Sequence, residues 1–539
     1  MQSETRRLML ACGAAVALAL SAPLAATQAA AQGKTFRFAN DGDASSMDPY
    51  FRNETFLLAF MQNIYEPLVR RNKQLQLEPG LAVKWGQTSP TTWFFDLRQG
   101  VKFHDGTPFT ADDVVFSIAR ASGKGSNMST YFATVKAVRK VNDHRVEIDT
   151  NVPDPLLASK WAQILIMSKV WAEKNNAVNV GEEIKKEETY ATRHAMGTGP
   201  FMLETREPDV RTVLKRNPNW WDKPEHNLDQ IVFSVIANAA TRVAALRAGQ
   251  IDMVYTVPPQ DTAALAKDAN VKVIQGPETR VVYLGLDQFR PELLDSNIKG
   301  KNPFKDKRVR EAIYRSIDVD AIKRVVMRGQ SYPTALMVAP VINGYQKALD
   351  KRPGLLKPAQ AKKLLADAGY PTGFEVGMNC PNDRYVNDAK ICEAVVGMLA
   401  RIGIKVNLNA ETRAKFFPRI QLPKAETSFF MLGWSPAATF DVHDVFVNLI
   451  QSFTPAQKKG QFNVARYSNP KFDELADKIQ VETDVKKRDA MIAEATKIYT
   501  NDYAYIPLHQ QALIWAARKN VDLVQTADNS FQVRWVKVK

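Results

Sequence analysis

Residues 93–118 carry the clearest change of hydrophobic period in the chain, from alternation to helical spacing. Trp93-Phe94-Phe95-Asp96-Leu97-Arg98 interleaves aromatic and polar residues as a strand does. Gln99-Gly100 turns the chain, and Val101-Lys102-Phe103 alternates as a returning strand would, until Asp105-Gly106 breaks it. Thr110 then stands at an N-cap position with Asp113 three residues on, which puts carboxylates in the first helical turn. Val114, Val115 and Ile118 follow at helical spacing. The pattern predicts a hairpin feeding a capped helix.

Elsewhere the same reading gives alternating strands and helices. Residues 34–39 form a first strand, 40–50 a polar loop, and 56–65 a buried helix. Strands and turns surround the 93–118 stretch over 75–148, a helix is expected over 156–171 after the break at Pro153-Asp154-Pro155, and 175–192 is a polar surface excursion. Strands are predicted at 231–236, 281–286, 404–408 and 505–508, and helices at 240–248, 359–368, 387–402 and 472–499. Gly369 and Gly403 supply the expected stops after two of those helices. This is an α/β chain without internal repeats.

At 539 residues the chain exceeds one hydrophobic core, so two or three lobes are expected. The formal net charge of +15 raises the question of nucleic acid, but Lys and Arg are scattered and no zinc-finger spacing or RNA-binding aromatic motif accompanies them. That composition argues against nucleic acid and for a surface biased toward anionic ligands. At the N-terminus, Arg6-Arg7, an apolar stretch over 8–20 and Ala29-Ala30-Ala31 predict a signal peptide cleaved near Ala31, with Sec and twin-arginine export both open. Cys12 falls inside that signal, ahead of most of its apolar stretch, which argues against a lipoprotein anchor. Cys380 and Cys392 remain, either as a disulfide in an oxidising compartment or as two buried thiols. Gly197-Thr198-Gly199-Pro200-Phe201 lacks the Lys-Ser/Thr of a phosphate loop and is read as a structural turn. No GxSxG, HExxH or partnered SxxK is present, so a non-enzyme is expected, with an exported hydrolase as the alternative from another class.

Taken as a string, 93–118 resembles the signature region of the extracytoplasmic solute-binding proteins of dipeptide, oligopeptide and nickel ABC importers, bacterial solute-binding protein family 5. Ser45-Ser46-Met47-Asp48-Pro49, the stretch from Tyr65 to Arg71, the turn at Gly197, Arg216-Asn217-Pro218-Asn219-Trp220-Trp221 and the Val309-Arg310, Ala312, Ile317-Asp318 pattern extend the resemblance along nearly the whole mature chain. It implies an α/β, two-lobe periplasmic binding protein fold with a hinge cleft and an extra subdomain in the first lobe. The boundaries expected are a signal peptide over 1–31, lobe I over 32–66, 187–284 and 504–539, the extra subdomain over 67–186, and lobe II over 285–503. The resemblance further implies a monomer without cofactor or resident metal. It would close on a peptide or peptide-like carboxylated small molecule and deliver it to permease subunits in the inner membrane.

The same resemblance singles out ligand contacts. Arg384 matches an Arg that grips the ligand carboxylate, a task suited to the guanidinium fork. Asn53, Glu54 and Thr55 lie on a strand-to-helix loop expected to face the cleft, and Trp434 and Ser435 match a cleft position. In peptide-binding relatives an Asp three residues after that Trp receives the α-ammonium, but here Ala437 occupies the place. Either Asp441 or Asp444 replaces it, or the ligand lacks that amine, as an opine-like compound or a nickel or other metal chelate would. His443 is the residue a chelated metal would meet.

Overall fold

The computed structural model describes residues 33–182, 188–457 and 459–539, so the expected signal peptide lies outside the described residues. Its centre is a pair of long antiparallel strands, Val271–Leu286 and Ile506–Arg518, paired from Val271 opposite Arg518 to Leu284 opposite Ile506. Beyond Ile506–Arg518 the sheet continues through Met253–Val254, Thr35–Asn40, Gln230–Val235, Arg211–Arg216 and Phe201–Glu207. Beyond Val271–Leu286 it continues through Phe429–Trp434, Phe374–Pro381 and Ile404–Glu411. The two middle strands therefore join both lobes. Their pairing is interrupted between Pro277 and Val281 and again between Val282 and Tyr283, which bends the ladder where the chain crosses.

Side-chain alternation puts a core on each face of the second lobe. Val282, Leu284, Phe429 and Met431 pack into one buried cluster, while Tyr283, Phe430 and Leu432 belong to another. The first lobe is built on Phe36, Phe38, Phe60 and Phe233, with Phe38 and Phe233 ring centroids 5.1 Å apart. A separate four-stranded antiparallel sheet runs Ala82–Ser89, Thr92–Leu97, Arg145–Thr150, Val135–Asn142. Alternate residues of its two middle strands are buried, and Phe95 stacks on Trp161 at 5.8 Å.

The capped helix of the opening stretch forms as expected. It spans Ala111–Ser122, with the Asp112 amide donating to Thr110 Oγ1 at 3.3 Å and the Thr110 amide to Asp113 Oδ2 at 2.9 Å. The hairpin before it does not. Thr92–Leu97 pairs with Ala82–Ser89 and Arg145–Thr150, while Lys102 makes only an isolated bridge to Pro108 because the chain doubles back through Asp105-Gly106. The helix expected over 156–171 is two short ones, Leu157–Trp161 and Lys169–Lys174, with Leu165 between them bridging Pro67. That expected over 472–499 is also divided, into Pro470–Val481 and Val485–Asn501, because Asp484 accepts the Lys487 amide and starts a new helix. The Gly197–Gly199 turn owes its glycines to close packing, since a Cβ on Gly197 would lie 2.0 Å from the Ile64 carbonyl oxygen.

Candidate ligand cleft

A cavity of about 760 Å³ opens between the lobes beside the crossing strands. That volume lies within the range of small-molecule and cofactor pockets. The first lobe lines it with Asn53, Glu54 and Thr55 and with Arg71, Gln163 and Asp528; Arg280 and Tyr283 come from the crossing strand. Arg384, Tyr385, Trp434, Ser435, Ala437, Phe440 and Asp444 come from the second lobe.

The loop that presents Arg384 is held at both ends. Cys380, at the end of Phe374–Pro381, is joined by a disulfide to Cys392 in the helix Asp388–Ala400. Within the loop, Asp388 Oδ2 accepts the amides of Arg384 at 2.9 Å and Tyr385 at 3.0 Å, and Asn387 turns the backbone at φ +57°. The Arg384 guanidinium lies 5.2 Å from the Tyr385 ring, and no acidic side chain among the described residues forms an ion pair with it. Burial and the neighbouring Arg280 guanidinium push its pKa down. Arg280 itself pairs with Glu278 at 3.3 Å, and Gln511 Nε2 donates to the same carboxylate at 2.8 Å. Two guanidiniums with one local acid leave an excess of positive charge facing the cavity, a setting that favours an incoming carboxylate.

Trp434 donates its indole N–H to Asp444 Oδ1 at 2.8 Å and sets its ring 4.9 Å from Phe462. Burial pushes the Asp444 carboxyl up to about 6, against the Trp434 hydrogen bond that favours ionisation. Ser435 Oγ lies 2.6 Å from Thr279 Oγ1, and the Ala437 carbonyl accepts from Gln163 Nε2 of the first lobe at 2.8 Å. Asn53 Nδ2 donates to the Tyr131 hydroxyl at 2.9 Å. Glu54 lines the cavity while both its oxygens cap the helix Thr55–Met61, accepting the Phe56 and Leu57 amides.

Two candidates from the sequence are not on this wall. Asp441 is fully buried, gripped by Arg488 at 2.7 and 2.8 Å, bonded by Asn343 Nδ2 at 2.7 Å, and caps the following turn through the His443 amide. Its carboxylate is spent on structure. His443 is buried behind it, with its pKa pushed down to about 4 by burial and Nε2 without a partner among the described residues. No group of three or more His, Cys, Asp or Glu among the described residues is placed to hold a metal ion.

Conversely, the cavity uses residues that sequence reasoning passed over. Arg280 sits in the irregular stretch between Pro277 and Val281, just before the strand legible at 281–286. Arg71 lay within a matched motif without a role of its own, and Asp528 follows no motif at all. Burial pushes Arg71 down to about 10 and the Asp528 carboxyl up, each opposed by the other's charge.

A cleft between two lobes joined by two crossing strands, with charged groups converging from both sides, is that of a solute-binding protein that closes around its ligand. Residues 76–456 match the bacterial extracellular solute-binding proteins, family 5, and the chain belongs to that family. It is 27% identical to the glutathione-binding protein GsiB of Salmonella typhi over 515 residues, 94% of each chain. Among solved structures, HbpA2 of Haemophilus parasuis is 25% identical with a TM-score of 0.77, covering 94% of this chain and 100% of that one. The Helicobacter pylori DppA in complex with the peptide STSA is 25% identical with a TM-score of 0.74, covering 94% and 98%. The chain is thus the solute-binding component of an ABC importer, and no helix among the described residues is long and apolar enough to cross a membrane.

Proposed function

We propose that the cleft captures a short peptide or a peptide-like carboxylated small molecule, with its carboxylate on Arg384 and Arg280 and its ammonium on Asp444. The observation that carries this reading is the Arg384 guanidinium, half-buried on the cavity wall beside a second guanidinium and without an acidic partner among the described residues. Asp444 supplies the opposite charge. It is on the same wall, its Oδ1 is oriented by Trp434, and Asp441 is committed elsewhere. Ala437 then marks a relocation of the anionic group by seven positions along the chain rather than its loss. A relative named for glutathione and another solved with a tetrapeptide support a peptide-like ligand.

Closure supplies the mechanism. The Ser159 hydroxyl donates to the Thr439 carbonyl and Gln163 Nε2 to the Ala437 carbonyl, so the first lobe grips the loop after Trp434 directly. A ligand bridging Arg384 and the first lobe favours this closed form, excludes water and strengthens each charged contact. The exported, processed protein then acts as a monomer that presents the ligand to the permease subunits in the inner membrane, with cleavage near Ala31. Native mass spectrometry of gently purified protein tests the reading: a released peptide or carboxylated amine supports it, and a released compound lacking a carboxylate refutes it.

A further inference from the structure

Arg71 and Phe440 face each other across the cleft, the guanidinium carbon 3.9 Å from the ring centroid. Each also borders a second chamber of about 430 Å³, which shares only Arg71, Leu75 and Phe440 with the main cavity. The pair stands between the two spaces. Arg71 is fixed from the first lobe, donating to the Leu75 carbonyl at 2.9 Å and to Ser159 Oγ at 2.7 Å. Phe440 is fixed from the second, its amide donating to the Pro436 carbonyl at 2.8 Å and its carbonyl accepting the Asn343 amide at 2.9 Å. It holds φ at +54°, a left-handed conformation that a bulky aromatic residue rarely adopts. Such strain persists only where surrounding bonds enforce it, and here it aims the ring at Arg71.

We infer that the Arg71–Phe440 pair is a wall that sets the length of peptide the cleft accepts, by closing the inner cavity off from the second chamber. This rests on the peptide reading above and adds to it the residues that decide size. The chamber behind the wall suits peptide main chain. Besides Arg71 of the wall itself, its polar lining is amide and hydroxyl, from Gln74, Gln76, Ser159, Asn343 and Thr439, while its one carboxylate, Asp441, is neutralised by Arg488. Of the three residues that border both spaces, Arg71 and Phe440 are the two that meet across the cleft, so substitution at either side opens the wall.

The test offers the full mature protein an equimolar mixture of peptides of mixed sequence, from dipeptides to octapeptides, and reads the lengths retained by native mass spectrometry. Wild type retains the short members. Phe440→Gly, which also relieves the positive φ, and Arg71→Ala, which opens the wall from the other lobe, each raise the ratio of long to short peptides retained by at least about tenfold. Thermal melts establish that each variant is folded, and if Phe440→Gly is not, Arg71→Ala decides. Folded variants that keep the wild-type length profile overturn the inference alone, as does a wild type that takes octapeptides as readily as dipeptides. A wild type that retains no peptide of any length overturns the peptide reading and the inference with it.

Discussion

Arg488 holds Asp441 through two parallel bonds of 2.7 and 2.8 Å, and both side chains are almost wholly removed from solvent. The carboxylate also starts the turn at His443 and anchors Asn343, so it ties the loop after Trp434 to the helix Val485–Asn501. Removing one partner of such a pair strands a buried charge, which costs about 3–5 kcal/mol.

Asp441→Asn is therefore expected to lower unfolding free energy by about that amount, measured by denaturant titration. Ligand affinity of the folded fraction should change little. A variant of native stability that no longer binds ligand would return Asp441 to the list of ligand contacts.

Arg384→Met keeps the length of the side chain and removes its charge. Truncating one member of a buried, hydrogen-bonded charge pair costs about 2–5 kcal/mol of affinity, here for a carboxylated ligand. Calorimetric titration should show that loss with an unchanged or raised melting temperature in the ligand-free protein, because the wild-type guanidinium is half-buried beside Arg280. Retained affinity would mean that the carboxylate lies elsewhere.

What could be read from the sequence was local. The capping box at Thr110 involves residues three apart, and the stops at Gly369 and Gly403 need only the φ of one residue, +95° and +92°. Arg384 and Trp434 were legible through their resemblance to family motifs, and both are on the cavity wall. That Asp441 lies off the cavity wall was not legible, because it depends on Arg488, 47 residues beyond it. The strand misplaced at Val101 failed for a related reason: Thr92–Leu97 found its partners in Ala82–Ser89 and Arg145–Thr150, and alternation alone says nothing about which strand pairs with which. Arg71 and Asp528 enter the same cavity from distant parts of the chain, so no local pattern could join them.

The Cys380–Cys392 disulfide brackets the loop of Arg384, tying the end of one strand to the first turns of the next helix. Closing a loop of this length is worth about 2–3 kcal/mol, mainly by restricting the unfolded chain. Cys380→Ala with Cys392→Ala should lower thermal stability accordingly. It should also weaken ligand binding, because Asp388 then holds the Arg384 loop with less support. Equal melting temperatures for wild type with and without a reductant strong enough to open buried disulfides would count against a stabilising bond.

Asp444 should make both stability and binding depend on pH, in opposite senses. Burial raises its carboxyl from 3.8 to about 6, so the folded protein holds a proton there that the unfolded chain has released. The stability this contributes is complete below the unfolded value and is lost as pH rises through about 6. The ligand-free protein with Asp444→Asn, which still offers Trp434 an acceptor oxygen, should therefore melt at a higher temperature than wild type above that pH. A ligand ammonium requires the ionised carboxylate, so wild-type affinity should be level above about 6 and fall below it, by at most about tenfold per pH unit for a single proton. Calorimetric titration across this range, in buffers of different ionisation enthalpy, should show proton release on binding at low pH, and Asp444→Asn should abolish it while weakening binding at neutral pH. If the variant matches wild type in affinity and pH profile, the ammonium is held by another group, and Asp528, with its own raised carboxyl on the opposite lobe, is the next residue to substitute.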